Sequence, residues 1–321
     1  MTVEKSRLPI RQGLSLGELV GRLNLGIPSR EIVWIAEKCL GRDDLTWAHL
    51  AEEIPTAKQA AEFVEILNRR LSGEPLQYCL GTWQFRSLEL CVDPSVLIPR
   101  PETELLVDIS VATLRECINR YGFCLSADSP GEPERQVRVL DLGTGSGAIA
   151  LAIAWEFRLT RDLLSVLGVD LSQPAIEVAE KNYNFLVEQC PDFGSVVRFL
   201  QGSWYDSLGI RDEASFDLIV SNPPYISIQD YLELDPQVRD FEPELALVAG
   251  QEGTECLEQV IYGAQRWLKP GGTLACEIGE RQGPQVLAMA RSVGLERVGI
   301  RKDLVGRDRY LVGSRPRSSE S

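Results

Sequence analysis

The feature that most constrains the fold is an alternation of strand-like and helix-like segments that begins after residue 136. Strands are predicted at 137–142, 165–169, 196–200, 216–220 and 273–278, helices at 145–157, 174–187, 256–268 and 282–292, and two short final strands near 297 and 310. Such alternation predicts a mostly parallel sheet with helices on both faces. Ligands of these open sheets bind beyond the carboxyl ends of the strands, where the winding reverses. The loops after the strands are therefore where we expect a functional site.

The first eighty residues predict a small helical domain. Two segments, Ser15–Glu18 and Thr56–Gln59, have the spacing of a capping box, in which side chains satisfy the free N–H groups at a helix start. After Thr56, apolar residues recur at helical spacing until Ser72-Gly73-Glu74-Pro75 ends the pattern. We predict that this domain spans residues 1–80.

A change of period separates this domain from the rest of the chain. Between residues 83 and 92, apolar and polar residues nearly alternate, which predicts a β-hairpin within a linker at 81–100. A helix is predicted at 101–119, followed by a surface loop near 127–133. The predicted catalytic domain is 101–315, and a polar tail, 316–321, follows it.

Charge and composition exclude several classes of function. The 321 residues include 33 basic and 47 acidic side chains, and the formal charge of -14 disfavours broad binding to nucleic acid. No stretch approaches the roughly 18 apolar residues of a membrane helix, and 1–12 lacks the apolar core of a signal peptide, so we expect a cytoplasmic protein. The eight cysteines are scattered and His49 is the one histidine, which predicts no metal site and no histidine base.

A glycine-rich loop follows the first strand of the alternating region. In Asp141-Leu142-Gly143-Thr144-Gly145-Ser146-Gly147-Ala148, glycines occupy alternate positions immediately before a helix. Without Cβ atoms the backbone can turn sharply against a ligand, and free N–H groups at a helix start attract a carboxylate or phosphate. The loop predicts a nucleotide-like cofactor. Because it also satisfies G-x-G-x-x-A, it leaves nicotinamide dinucleotide and S-adenosylmethionine both open.

Asp170 ends the second strand of the region. A carboxylate at this position can accept hydrogen bonds from both hydroxyls of an adenosine ribose. An acidic residue that ends a strand also serves as a helix cap. The glycine loop one strand earlier favours ribose binding, but both cofactor types share that contact.

The segment that separates the two cofactors is Ser221-Asn222-Pro223-Pro224-Tyr225, which follows the strand at 216–220. Two prolines fix the backbone and remove two N–H donors, so the segment presents acceptors. The Asn222 side-chain oxygen and the Pro223 carbonyl could hold both N–H bonds of a planar NH2 group and stabilise positive charge as a methyl group arrives, beside the flat ring of Tyr225. Methyl transfer from a sulfonium needs alignment more than a base.

These motifs resemble those of a known family, the HemK-type protein-(glutamine-N5) methyltransferases that act on peptide chain release factors. The likeness spans nearly the whole chain and includes the segments 73–78, 97–104, 141–147, 222–225 and 241–243. The run Leu97-Ile98-Pro99-Arg100-Pro101-Glu102-Thr103-Glu104 is particularly specific.

The resemblance implies an α/β fold, a class I methyltransferase domain with a Rossmann-like, seven-stranded and mostly parallel sheet, behind a helical N-terminal domain. It also implies that the substrate is the glutamine in the Gly-Gly-Gln loop of a release factor, methylated on its side-chain nitrogen with S-adenosyl-L-methionine as donor. The residues that it assigns to the donor are Gly143, Thr144, Gly145, Ser146, Gly147, Asp170, Trp204 and Asn222. Those that it assigns to the glutamine are Asn222, Pro223, Pro224 and Tyr225.

Other functions stay open at this point. A glutamine methyltransferase for a ribosomal protein fits the same motifs. An adenine N6-methyltransferase would use the tetrapeptide on a flipped-out base, but it should carry a basic recognition region, which the acidic chain disfavours. A nicotinamide-dependent oxidoreductase or a non-catalytic cofactor-binding module would leave 222–225 without a role.

Overall fold

A computed structural model describes residues 14–21, 26–120, 136–159, 163–190, 193 and 196–317. Four features of the sequence lie outside the described residues: the segment 1–12, Cys124, the loop at 127–133 and most of the polar tail. The chain divides into two compact units, residues 1–81 with 236–241 and residues 82–235 with 242–321.

The secondary structure of the described residues follows in chain order. The helices are α1 (Leu16–Gly21), α2 (Ser29–Leu40), α3 (Ala57–Leu71), α4 (Leu76–Leu80), α5 (Pro101–Arg120), α6 (Ala148–Glu156), α7 (Gln173–Gln189), α8 (Ile228–Tyr231), α9 (Pro236–Arg239), α10 (Glu255–Trp267) and α11 (Gly283–Ser292). The strands are β1 (Thr82–Phe85), β2 (Leu88–Cys91), β3 (Val137–Leu142), β4 (Leu164–Asp170), β5 (Val196–Gln201), β6 (Phe216–Ser221), β7 (Ile226–Ser227), β8 (Val248–Gly250), β9 (Leu268–Glu277), β10 (Glu296–Lys302) and β11 (Asp308–Ser314).

The first unit is built mainly from α1 to α4, with α2 packed against α3. At the start of α3 the Thr56 side chain accepts a hydrogen bond from the Gln59 N–H, and the Gln59 side chain accepts one from the Thr56 N–H. Ser15 and Glu18 make the same reciprocal pair at the start of α1. Both predicted capping boxes are confirmed, and they satisfy N–H groups that a helix start otherwise leaves without partners.

A segment from much later in the chain completes the first unit. The sequence pattern assigns residues 236–241 to the catalytic domain by continuity, but the structure groups them with 1–81. A Cβ atom at Gly73 would lie 3.7 Å from the ring of Phe241, and Gly73 has a φ of 96°, which favours glycine. Local periodicity indicates which face of a segment is buried, but it does not indicate which other segment covers that face. The grouping of 236–241 with 1–81 could therefore not be predicted from the sequence.

The second unit contains the large sheet, whose strand order is β10-β11-β9-β6-β3-β4-β5. Neighbouring strands from β9 to β5 are parallel, and β11 is antiparallel to both β9 and β10. From β3 the chain adds β4 and β5 on one side and then crosses to β6 on the other, so the winding reverses between β3 and β6. The carboxyl ends of these two strands are the expected place for a ligand.

Apolar residues cover both faces of the sheet. Val139 of β3 belongs to a core cluster shared with residues of α5, α6 and α7, whereas Leu140 and Leu142 belong to a second cluster shared with α10 and α11. Because side chains alternate along a strand, successive apolar residues of β3 fill both clusters. This arrangement explains why the parallel strands have nearly continuous apolar sequences.

Two elements begin three or more residues from their predicted starts. The helix predicted from residue 145 begins at Ala148, because Gly145 and Gly147 have φ values of 54° and 80°, outside the range of a right-handed helix. The strand predicted from residue 273 begins at Leu268. It continues through Pro270-Gly271-Gly272, residue types that usually mark a turn.

Asn182 of α7 joins the β1–β2 hairpin to the glycine loop within the second unit. Its fully buried amide oxygen accepts a hydrogen bond from the Cys91 N–H at 2.7 Å. Its amide nitrogen donates to the carbonyls of Cys91 and Ser146, at 3.1 Å and 2.9 Å. One side chain therefore satisfies three backbone groups of two separate segments.

Replacing Asn182 with alanine should lower the free energy of unfolding by about 2 to 4 kcal/mol, because buried backbone groups of Cys91 and Ser146 lose their partners. Denaturant titration measures the change. Asn184 lies on the same helix with an exposed side chain, and Asn184→Ala should change the unfolding free energy by less than about 0.5 kcal/mol. Equal effects of the two substitutions would contradict the structural role of Asn182.

Candidate active site

The glycine loop lies between β3 and α6 at the carboxyl end of the sheet. Its three glycines, Gly143, Gly145 and Gly147, have φ values of 70°, 54° and 80°, a region that disfavours other residues. A Cβ atom at Gly147 would also lie within 3.3 Å of three side chains, those of Leu151, Ala179 and Phe199. Glycine is therefore favoured at all three positions, and at Gly147 the close side chains exclude any larger residue.

Asp141 anchors the glycine loop from inside the sheet. Its side chain is fully buried, and Oδ2 accepts hydrogen bonds from the Thr144 hydroxyl at 2.7 Å and the Ala150 N–H at 3.2 Å. Among the described residues Oδ1 has no hydrogen-bond partner. Burial raises the pKa of this carboxyl to about 7, although the two hydrogen bonds act in the opposite direction.

Asp170 fixes the other side of the loop. It ends β4, where Oδ2 accepts from the Gly145 N–H at 2.8 Å and Oδ1 accepts from the Ser172 N–H at 2.9 Å. Burial raises the pKa of Asp170, and the backbone N–H groups around it lower it. The carboxylate has about four lone-pair positions, so these backbone contacts leave acceptor capacity for a hydroxyl group of a ligand.

These residues line one cavity in the second unit. Most of the residues predicted from the sequence contribute to its wall, namely Gly143, Thr144, Gly145, Ser146, Asp170, Trp204, Asn222 and Pro224. Gly147 packs beneath the loop, and the buried Pro223 and half-buried Tyr225 are not among the lining residues. The cavity lies at the carboxyl ends of β3, β4 and β6, where the winding of the sheet reverses.

Trp204 follows β5 with its indole next to the glycine loop. A Cβ atom at Gly143 would lie 3.8 Å from Cζ3 of this ring. The backbone of Trp204 has a φ of 50°, a left-handed conformation that is uncommon for residues other than glycine. Such strain persists only where the surroundings impose it, and it occurs preferentially at ligand sites.

Asn222 begins the segment after β6 and is held by neighbours on two sides. The Ser221 hydroxyl donates to the carbonyl of Leu142 at 2.7 Å, which ties the end of β6 to the end of β3. The Asn222 Nδ2 donates to the Thr103 hydroxyl at 3.0 Å. The amide oxygen of Asn222 is thereby the end of the side chain that is left for a ligand.

Glu277, at the end of β9, lies behind this segment. Its carboxylate is 1% exposed, and it accepts hydrogen bonds from the Thr103 hydroxyl at 2.8 Å and the Tyr225 hydroxyl at 3.4 Å. Burial raises the pKa of Glu277 to about 7. Burial and the negative charge of Glu277 raise the pKa of Tyr225 to about 12, so this phenol is protonated at neutral pH.

An ion pair ties the specific run at 97–104 to the cavity wall. The Glu242 side chain, 2% exposed, accepts from Arg100 Nη2 at 2.6 Å and from the Ile98 N–H at 3.3 Å. Arg100 and Pro243 both line the cavity. No role for Thr103, Glu242 or Glu277 could be predicted from the sequence, although Thr103 and Glu242 belong to motifs that carry the resemblance.

The described residues show two further features. No helix among them is long and apolar enough to cross a membrane. No group of three or more histidine, cysteine, aspartate or glutamate side chains in the described part of the chain is placed to hold a metal ion.

The order of the sheet, its antiparallel last pair and the cavity beside the glycine loop define a class I methyltransferase, which confirms the fold class predicted from the sequence. A family model described as a methyltransferase domain matches residues 133–292, and one described as the PrmC N-terminal domain matches residues 21–81.

Curated relatives named release factor glutamine methyltransferase match most of the chain. The relative from Aliivibrio fischeri is 38% identical over 84% of this chain and 83% of its own length. Those from Bordetella pertussis and Salmonella typhimurium are 38% and 37% identical, over 90% and 89% of this chain and 95% and 92% of their own lengths. The chain belongs to the release factor glutamine methyltransferase family, as its motifs predicted.

The buried Asp141 predicts a pH dependence of stability. Its pKa in the folded protein, about 7, lies above the ordinary 3.8, so the folded state holds the proton more tightly than the unfolded chain. The tighter proton binding adds to the free energy of unfolding. This added stability is fully present below the ordinary pKa and is lost as the pH rises through about 7. Between about pH 5.5 and about pH 8, the protein should lose about 2 kcal/mol of unfolding free energy relative to Asp141→Asn.

Denaturant titrations of both proteins at the two pH values measure this difference. Because Asn cannot ionise, only the unsubstituted protein should show the additional loss. Parallel changes in the two proteins would mean that Asp141 keeps an ordinary pKa.

Proposed function

We propose that this protein transfers a methyl group from S-adenosyl-L-methionine to the side-chain amide nitrogen of the glutamine in the Gly-Gly-Gln motif of peptide chain release factors. One observation carries the proposal: the Asn222 side chain faces the cavity beside the glycine loop with its amide nitrogen already engaged. The names of relatives about 38% identical over most of the chain support the choice of substrate.

The cavity fits the methyl donor. When bound, S-adenosylmethionine supplies an electrophilic methyl group on a sulfonium. The remaining acceptor capacity of Asp170 suits the hydroxyls of a ribose, and the indole of Trp204 offers a flat surface for an adenine. The residues that would hold the donor are Gly143, Thr144, Gly145, Ser146, Gly147, Asp170, Trp204 and Asn222.

The tetrapeptide Asn222–Tyr225 suits a carboxamide substrate. Its nitrogen is a poor nucleophile, because conjugation with the carbonyl withdraws its lone pair. The Asn222 Oδ1 and the Pro223 carbonyl are two acceptors for two N–H bonds, and Pro223 has no N–H that could compete. As the methyl group arrives, positive charge grows on the nitrogen, and acceptors aimed at its hydrogens stabilise that charge. Pro224 and Tyr225 complete the proposed site.

Positioning is the main contribution of these residues. Tyr225 keeps its proton at neutral pH, with a pKa raised to about 12, and His49 belongs to the first unit. Alignment of the amide nitrogen with the methyl group lowers the barrier to transfer by a large amount, and this contribution does not depend on a side-chain base. In the balanced reaction the amide nitrogen would gain the methyl group and release one of its two protons to solvent, with S-adenosylhomocysteine as the second product.

The same proposal assigns roles to the domains and a cellular compartment to the protein. Residues 1–80, most of which match the PrmC N-terminal domain, would recognise the release factor, and 101–315 would carry the catalytic site, with 81–100 as a linker and 316–321 as a tail. Release factors act on ribosomes, so the activity implies a cytoplasmic protein. The formal charge of -14 disfavours direct binding to nucleic acid.

The activity is tested by incubating the protein with methyl-labelled donor and a purified release factor, followed by mass spectrometry of the Gly-Gly-Gln peptide. Label on that glutamine, and none on a release factor whose glutamine is replaced, supports the proposal. Label only on a ribosomal protein or on adenine in nucleic acid, supplied in parallel reactions, would transfer the activity to those substrates.

The substitution Asn222→Ala should lower turnover by about a hundred- to a thousandfold, because the developing charge loses an aimed acceptor. Donor binding, measured by calorimetry, should change far less. Asn184→Ala replaces an exposed asparagine on α7 and should leave turnover unchanged. Near-normal turnover of Asn222→Ala would remove Asn222 from the mechanism.

A further inference from the structure

A chain of hydrogen bonds connects Asn222 to a carboxylate that lies outside the cavity wall. Asn222 Nδ2 donates to Thr103 Oγ1 at 3.0 Å, and the same hydroxyl donates to Glu277 Oε2 at 2.8 Å. Thr103 is 4% exposed in the first turn of α5, and Glu277 is 1% exposed at the end of β9. Three separate elements of the second unit therefore meet in one chain of side chains.

The chemistry of its last member fixes the direction of this chain. The Thr103 hydroxyl directs its single hydrogen toward Glu277 Oε2. Whenever Glu277 is ionised this direction is the one available, because a carboxylate can only accept hydrogen bonds. The Thr103 oxygen can then only accept from Asn222, which requires the NH2 end of the amide. The amide oxygen of Asn222 is thereby turned away from Thr103.

We propose that Thr103 and Glu277 are positioning residues, which orient the Asn222 amide so that its oxygen and not its NH2 group meets the substrate nitrogen. This inference rests on the function proposed above. The oxygen and the NH2 group of an asparagine amide have nearly the same shape, so either could face the substrate. If the NH2 group faced it, a donor would meet the N–H bonds of the substrate. The orientation decides whether Asn222 stabilises the developing charge or opposes it.

The second oxygen of the same carboxylate has a related role. Glu277 Oε1 accepts from the Tyr225 hydroxyl, so one buried group holds two side chains of the tetrapeptide. A glutamine at position 277 would have one acceptor and one donor where the carboxylate has two acceptors. It would satisfy either Thr103 or Tyr225 in the present arrangement, but not both, which explains the use of a charged group in this buried place.

Charged neighbours of Glu277 also influence its ionisation. Arg309 is the neighbouring positive charge that favours the ionised form, whereas the negative charge of Glu102 opposes it. Tyr225, Tyr310 and Cys276 also lie within electrostatic range of the carboxylate. Thr103 and Tyr225 are the side chains whose hydrogen bonds to Glu277 are direct.

Two substitutions at position 103 distinguish the effect of the hydroxyl from the effect of side-chain shape. Thr103→Val keeps the volume and removes the hydrogen bonds, and it should lower kcat by about a hundredfold through loss of alignment. The affinity for S-adenosylhomocysteine, measured by calorimetry, should stay within about twofold of the original value. Thr103→Ser keeps the hydroxyl and should restore kcat to within about threefold of the unsubstituted protein.

A matched control lies on the same helix. The Thr113 hydroxyl donates to the Ile109 carbonyl of α5. Thr113 is not among the residues that line the cavity. Thr113→Val should leave kcat unchanged. Thermal unfolding of all variants should show that they fold, and a Thr103→Val protein that is unfolded while Thr103→Ser is folded and fully active would identify Thr103 as a structural residue only.

A double-mutant cycle with Asn222→Ala distinguishes positioning from direct contact with substrate. If Thr103 acts through Asn222, Thr103→Val should lower kcat by less than about twofold once Asn222 is already alanine. A full additional loss in that background would overturn the inference, as would unchanged kcat in Thr103→Val alone. Absence of glutamine methylation by the unsubstituted protein would instead overturn the proposed function, and this inference with it.

Discussion

The site depends on buried carboxylates at the carboxyl ends of parallel strands. A carboxylate removed from water must find hydrogen-bond donors nearby, and here the donors are the loops that form the cavity. Asp141 holds Thr144 and the start of α6, Asp170 holds Gly145, and Glu277 holds Thr103 and Tyr225. These hydrogen bonds partly offset the cost of burying each charge, and they also hold the donor segments in place. The raised pKa values of the three carboxyl groups reflect the part of the desolvation cost that is not offset.

Features with a local cause could be predicted from the sequence. The parallel strands were visible because both faces are buried, which gives continuous apolar segments between helical ones. The glycine loop was visible because three left-handed residues in five strongly favour glycine. The resemblance of the tetrapeptide at 222–225 led to the family, to which the relatives show that the chain belongs.

Features that depend on distant parts of the chain could not be predicted. Thr103 and Glu277 are 174 residues apart, and nothing in either neighbourhood indicates that a hydroxyl and a carboxylate meet. Residues 236–241 join the first unit for a reason that only the folded chain reveals. The exact start of α6 also depended on backbone angles at Gly145 and Gly147, which residue type permits but does not require.

The central claim is that Asn222 and Pro223 present two oxygen acceptors to one planar amide nitrogen. A crystal structure with S-adenosylhomocysteine and a peptide containing Gly-Gly-Gln tests it most directly. The account predicts the glutamine nitrogen at about 3 Å from both Asn222 Oδ1 and the Pro223 carbonyl oxygen. A glutamine bound elsewhere, or an Asn222 whose NH2 group faces the peptide, would contradict it.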